Sequence, residues 1–265
     1  MYIMRYKIDA AVVSDVGNIR IKNEDSYYIP GLQTKSKNVE LRYTYHDICD
    51  DKVQWYAVCD GMGGEEYGEI ASNAAIHYLS EYKGNSDSAA IHEMIREMNE
   101  YVYKTNPYCG KVCSGTTIVL ACISPQGMHI VNVGDSRAYI LENQFMIKLT
   151  IDHTQSEYLY NIGKLTLDEK EEHDGQHVLL RYLGSNPDGK AFLPSINMNR
   201  ALQEGNRILL CTDGLYHAIS EDEIKSILIE SSDSKTISTN LVQQALDNGG
   251  DDNITAMVLT VLHAK

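Results

Sequence analysis

The chain has 265 residues, of which 43% are hydrophobic, with six cysteines and a formal net charge of −14. This length suffices for a large core, and the acidic balance excludes nucleic acid and anionic membrane surfaces as natural partners. No run approaches the about 18 apolar residues of a membrane span, the start has no secretory leader pattern, and the cysteines, without paired finger spacing, read as reduced thiols of a cytoplasmic protein; Cys109 and Cys113 are the one close pair, and a metal or redox site there is the weaker reading.

The pattern predicts a first strand over 8–14, a turn through Asp15-Val-Gly-Asn-Ile-Arg20, and a short strand over 26–29 broken by Pro30-Gly31. Strands over 39–47 and 52–59 flank Cys49-Asp-Asp51 and suggest a hairpin. The period then becomes helical: Ile70, Ala71, Ala74, Ala75, Tyr78 and Leu79 recur on one face, and a second helix over 88–104 carries Ile91, Met94, Ile95, Met98, Tyr101 and Val102. Such Met and Tyr stripes read as core. Strands return over 114–123, 128–135, 136–141 and 145–149, and pairs of strands without helices between them point to antiparallel sheets. Residues 152–190 are polar and mixed in charge, with a helix near 156–162 and an acidic run at 169–174 that reads as a solvated face; a segment of this kind in a compact domain reads as a lid. Strands over 195–202 and 207–212, helices over 221–230 and 236–245, and a last strand over 253–262 complete the pattern.

One grammar recurs. Trp55-Tyr-Ala-Val-Cys-Asp60 and Arg207-Ile-Leu-Leu-Cys-Thr-Asp213 are apolar runs that stop at Asp-Gly. The strand over 128–135 ends at Gly134-Asp135, Asp251 and Asp252 precede the last strand, and Asn23-Glu24-Asp25 precedes another. Each alone fits an ordinary strand-end turn. Gathered carboxylates repel one another and lose hydration, so a shared site with few cations is most easily rationalised by hard divalent ions on oxygen ligands. Two such ions about 3.5–4 Å apart can generate hydroxide and clamp a phosphoryl group. Spacing alone leaves open whether the carboxylates converge.

The ordered set Arg20-Ile-Lys-Asn-Glu-Asp-Ser26, Val58-Cys-Asp-Gly-Met-Gly-Gly64, Ser114-Gly-Thr-Thr117, Val133-Gly-Asp-Ser-Arg137, Leu149-Thr-Ile-Asp-His-Thr154, Thr212-Asp-Gly-Leu215 and Gly250-Asp-Asp-Asn-Ile-Thr255 resembles the metal-dependent protein phosphatase 2C family in its bacterial form. The resemblance implies an α+β fold, a four-layer α/β/β/α sandwich of two antiparallel sheets flanked by helices, with the site at one end and residues 152–190 as its flap, all within a single domain spanning 1–265. It implies that Asp60 bridges two ions, Mn²⁺ or Mg²⁺, with the Gly61 carbonyl on one and Asp213 and Asp252 on the other. Glu24 and Asp25 hold waters, and Asp135 serves a third, weaker ion. Arg20 corresponds to the phosphate-binding arginine. The implied function is hydrolysis of phosphoserine and phosphothreonine in proteins by a metal-bridging hydroxide, by a cytoplasmic monomer that opposes a Ser/Thr kinase; the alternative is a phosphatase-like binding module without catalysis. Ser114, Thr116 and Thr117 read as strand and hydrogen-bonding positions and Arg137 as a structural anchor. Met62 stands where animal members of the family often place a proton-donating histidine and bacterial members commonly have Met; the acid is then metal-bound water or His153, whose plainer reading is a packing or hydrogen-bonding histidine. Residues 31–51, with Tyr43, Tyr45 and His46, read as a long hairpin or an added surface element. His77 and His92 read as surface or core-edge positions.

Overall fold

The computed structural model describes residues 6–30, 42–49, 53–63, 67–108, 114–230 and 233–264. Gly64, Cys109, Cys113 and most of 31–51 therefore lie outside the described residues. The strands are β1 (Tyr6–Asp15), β2 (Ser26–Tyr28), β3 (Arg42–Cys49), β4 (Gln54–Cys59), β5 (Gly61–Met62), β6 (Gly115–Thr116), β7 (Ile118–Ser124), β8 (Gly127–Val133), β9 (Arg137–Glu142), β10 (Phe145–Lys148), β11 (Ser195–Arg200), β12 (Arg207–Cys211) and β13 (Ile254–Ala264). The helices are α1 (Gly68–Glu81), α2 (Ser88–Thr105), α3 (Gln155–Asn161), α4 (Leu167–Glu172), α5 (Asp213–Ala218), α6 (Glu221–Glu230) and α7 (Ser234–Asp247), with a short 3₁₀ turn at Asp174–His177.

Two large antiparallel sheets form, in the orders β10-β9-β12-β13-β1-β3 and β11-β8-β7-β4-β2, and β5 pairs with β6 in a small ribbon. Nearly every central strand is buried on both faces, so its residues divide by parity between two cores. Ile8, Ala10 and Val12 of β1, Tyr56 and Val58 of β4, and Met257, Leu259 and Val261 of β13 share the core between the sheets. Ala57 and Cys59 of β4 and Ile118, Leu120 and Cys122 of β7 turn outward onto α1 and α2. Leu209 and Cys211 of β12 and Ala256 and Val258 of β13 turn outward onto α5, α6 and α7. Three cores thus bind four layers, helix, sheet, sheet, helix, which is the expected sandwich. In α2 the buried Ile91, Met94, Ile95, Met98 and Val102 fall on one stripe, and Asp87 caps the helix by accepting a hydrogen bond from the Ala90 N–H at 3.1 Å. The thiols of Cys59, Cys122 and Cys211 are buried and free, as small core hydrophobes.

Two expectations are corrected. β3 and β4 do not form a hairpin: β3 pairs with β1 in one sheet, whereas β4 lies between β2 and β7 in the other. The β4 run Gln54–Cys59 is buried along almost its whole length and takes a central place. Asp213-Gly214 does not make a turn but opens α5. The acidic residues of the run at 169–174 are exposed, as expected of a solvated face, and part of the run forms α4, which opens with a capping box between Thr166 and Glu169.

Candidate metal centre

Strand register brings the motifs to one end of the sandwich. Asp15 at the end of β1 faces Ile254 at the start of β13, Cys211 at the end of β12 faces Ala256, Cys59 faces Ser26, and Val133 at the end of β8 faces Ile118. The residues that follow or precede these strand ends, Asp25, Asp60, Asp135, Asp213 and Asp252, therefore crowd together. A cleft of about 1050 Å³ is lined by Arg20, Glu24, Asp60, Gly61, Asp135, Asp213 and Asp252 among others. Every side chain expected at the site is thus gathered there, with Asp25 buried behind the cleft and Asp251 exposed outside it.

Asp60 is held by its own backbone. Its N–H donates to Thr117 Oγ1 at 3.0 Å, while its carbonyl accepts from the Thr117 N–H at 2.8 Å and from Thr116 Oγ1 at 2.9 Å. The Thr117 hydroxyl also meets Ser136 Oγ at 2.6 Å. These contacts leave the Asp60 carboxylate directed by a rigid frame and give the threonines a positioning role, as their motif suggests. Gly61 is required by close approach: a Cβ there would stand 2.2 Å from the Gly68 carbonyl oxygen and 2.7 Å from that of Glu24.

Asp25 shows the electrostatic character of the cluster. Its Oδ2 accepts hydrogen bonds from Thr255 Oγ1 at 2.6 Å and Thr212 Oγ1 at 2.9 Å, but its buried Oδ1 has no partner among the described residues. Burial pushes the Asp25 carboxyl up to about 8, against those two hydrogen bonds. The same loss of hydration, followed by repulsion from Asp213, drives Asp60 and Asp135 well above the usual carboxylate range. Asp252 and Glu24 are raised too, again chiefly by burial. An oxygen-only donor set with an orphaned buried oxygen and mutually repelling carboxylates fits hard divalent cations.

Arg20 reaches the cluster through Asp252: its Nη2 lies 2.8 Å from Asp252 Oδ2, with both side chains partly exposed. Its loop is fastened by Asn253. Asn253 Oδ1 accepts from the Glu24 N–H at 2.8 Å, and Nδ2 donates to the carbonyls of Val16 and Lys22 at 2.9 Å each. One amide thereby ties Arg20 and Glu24 to Asp252. The Asx-type signal was present in Gly250-Asp-Asp-Asn253, but its partners lie more than two hundred residues away in sequence.

Arg137 is the anchor it was expected to be. Its guanidinium forks onto Asp152, with Nη2 to Oδ2 at 2.7 Å and Nε to Oδ2 at 3.0 Å, and stacks 3.5 Å above the Tyr216 ring. Tyr216 in turn donates to the Asp135 carbonyl at 3.1 Å. His77 and His92 are exposed on their helices, as expected.

His153 is not an acid of this cleft. It lies outside the cleft lining, its Nδ1 accepts from the Gly134 N–H at 3.1 Å, and its Nε2 meets Ser195 Oγ at 2.8 Å. The ring is therefore neutral with the proton on Nε2. Burial, then the nearby Arg181 guanidinium, pushes its pKa down to about 4. An unfolded histidine titrates near 6.5, so below that pH the unfolded chain takes up a proton that the folded chain refuses. The stability from neutral His153 is present above about pH 6.5 and is lost at up to about 1 kcal/mol per pH unit as pH falls toward 4. Denaturant unfolding of the wild type and His153→Gln at pH 7 and pH 5 should show a smaller acid-induced loss in the variant; equal losses would contradict the assignment.

The family profile for protein phosphatase 2C matches residues 19–158. The serine/threonine phosphatase stp of Listeria innocua is 32% identical over 218 residues, covering 79% of this chain and 85% of the relative. The chain belongs to the protein phosphatase 2C family. Among solved structures, the serine/threonine phosphatase of S. agalactiae superposes with a TM-score of 0.79 at 25% identity, over 96% of this chain and 99% of that one. The catalytic domain of the serine/threonine protein phosphatase PstP, solved in complex with two manganese ions, gives a TM-score of 0.75 at 26% identity over 98% and 100% of the two chains.

Proposed function

We propose that this chain removes phosphate from phosphoserine and phosphothreonine in proteins, using two divalent cations, Mn²⁺ or Mg²⁺, held by the cleft carboxylates. The convergence of Asp25, Asp60, Asp135, Asp213 and Asp252 around a cleft rimmed by Arg20 carries this reading. Asp60 would be shared by both ions, with the Gly61 carbonyl beside it on one and Asp213 and Asp252 on the other; Asp135 would serve a third. When bound, the ions supply water ionised at neutral pH and positive charge that offsets the phosphoryl oxygens.

The chain's own residues do the rest. The orphaned Asp25 Oδ1 and the Glu24 carboxylate accept hydrogen bonds from water in the cleft and orient it. Arg20, released from Asp252, forks onto two phosphate oxygens and sets the phosphoryl group for in-line displacement. Met62 offers no proton and His153 faces Gly134, so cleft water protonates the departing Ser or Thr oxygen. The substrates are targets of a Ser/Thr kinase. The chain acts as a cytoplasmic monomer, with residues 1–265 as one catalytic domain and 152–190 as its substrate-selecting flap. No helix among the described residues is long and apolar enough to cross a membrane.

The test is release of phosphate from a phosphothreonine peptide, present with Mn²⁺, absent after chelation and absent in Asp213→Asn. No release from the wild type with Mn²⁺ would refute the reading. Arg20→Ala should lower kcat/KM by about 10–100-fold, the loss of one charged hydrogen-bonded pair worth about 1.5–3 kcal/mol. Arg20→Lys should recover only part of it, because an ammonium cannot make the fork.

A further inference from the structure

A second donor set stands at the rim of the cleft. His177, at the end of the 3₁₀ turn in the flap, and His217 of α5 both approach Asp213, and one ligand atom from each of the three lies within 4.8 Å of the others. His217 Nδ1 is 3.7 Å from Asp213 Oδ2, and the two imidazole rings stand 5.0 Å apart at 68°. Asp213 and His217 are four residues apart, so α5 presents them on one face, one turn apart. The helix supplies a two-donor chelate by itself, and the flap adds the third donor.

The chemistry of this set differs from that of the cleft floor. Carboxylates and carbonyls suit Mg²⁺ or Mn²⁺, whereas two imidazoles with one carboxylate suit a borderline ion, Zn²⁺ above all. A zinc–nitrogen bond of about 2.0–2.1 Å puts tetrahedral donors about 3.4 Å from one another. The present spacing closes to that value with shifts of about an ångström, and His177 and His217 are both exposed and have room to turn.

We propose that His177, Asp213 and His217 bind Zn²⁺, with water in the fourth position, and that the ion fastens the flap to α5 across the mouth of the cleft. Asp213 is the lever. Its carboxylate also faces Asp60, Asp25 and Asp135, so Zn²⁺ draws it toward the rim while the flap is held down. Zn²⁺ is therefore an inhibitor that acts even when Mg²⁺ or Mn²⁺ is in excess. Binding stands apart from the phosphatase reading; the inhibition rests on it.

The experiment titrates Zn²⁺, in competition with a chromophoric chelator, into the full chain saturated with Mg²⁺. A single Zn²⁺ should bind the wild type, with affinity reduced about tenfold or more in His177→Ala and in His217→Ala. Substitution by Co²⁺ should give visible absorption bands of a four-coordinate site, lost in both variants. Zn²⁺ should also slow tryptic cleavage after Lys170 in the wild type and not in His177→Ala. Equal uptake by the wild type and both variants, or no uptake above Mg²⁺, would overturn the site. Zn²⁺ that binds without reducing Mn²⁺-dependent phosphate release would overturn the inhibition, whereas absence of any release with Mn²⁺ alone would defeat the phosphatase reading and leave the site standing.

Discussion

Asp60→Asn should abolish nearly all phosphate release and, at the same time, make the metal-free protein more stable. The two effects have one origin. Asp60 is pressed by loss of hydration and by Asp213, Asp25, Asp135 and Asp252, a strain that the proposed cations would relieve. An amide of the same shape keeps the backbone clamp from Thr116 and Thr117 but cannot serve as the shared anionic ligand proposed for Asp60. A metal contribution of about 4 kcal/mol to the transition state corresponds to about 10³-fold in rate. Removing one member of a repelling set should raise the Tm of chelated protein by several degrees, at about 2–4 °C per kcal/mol for a chain of this size. Thermal unfolding in a chelator and initial rates in Mn²⁺ check both halves. A variant that loses activity without gaining metal-free stability would show that Asp60 is not under the electrostatic load described.

Gly61→Ala should be among the most damaging changes of a single methyl group in the chain. The new Cβ would fall within 2.7 Å of two backbone carbonyl oxygens, those of Gly68 and Glu24, and neither can swing aside as a side-chain tip would. The Gly61 N–H also donates to the Glu24 carbonyl at 3.2 Å, so any retreat breaks the link between the Asp60 turn and the Glu24 loop. A loss of about 3 kcal/mol is expected, a fall in Tm of roughly 6–12 °C, together with lost activity. An unchanged Tm would mean that α1 stands further from the turn than the structure places it.

Much of this was legible in the strand ends. An apolar run that halts at Asp-Gly announces a buried strand delivering a carboxylate, and Asp60 and Asp213 follow β4 and β12 as that rule places them, while Asp135 and Asp252 lie beside the ends of β8 and β13. Convergence was not legible from spacing, because it depends on the register of two separate sheets; the ordered motifs supplied it through family resemblance. The hairpin reading of β3 and β4 failed because a short connection can cross between layers as readily as it can turn within one. The helix α5 was hidden because Asp213-Gly214 has the composition of a turn, while its packing decides otherwise: a Cβ on Gly214 would meet the Asn253 carbonyl oxygen at 2.1 Å. The helix α4 could have been found, since Thr166-Leu-Asp-Glu169 is the capping-box pattern. Asn253 could not, since its three partners are fixed only by the tertiary fold.

On the proposed function, the gathered carboxylates form a cation centre that powers phosphoester hydrolysis. The most direct measurement follows Mn²⁺ occupancy and phosphate release together, as the chelated 265-residue chain is titrated with Mn²⁺ in the presence of a phosphothreonine peptide. Turnover that is absent without metal and rises as the second Mn²⁺ binds is the predicted result. Turnover that persists in the chelated protein, or two bound Mn²⁺ ions without phosphate release, would contradict it.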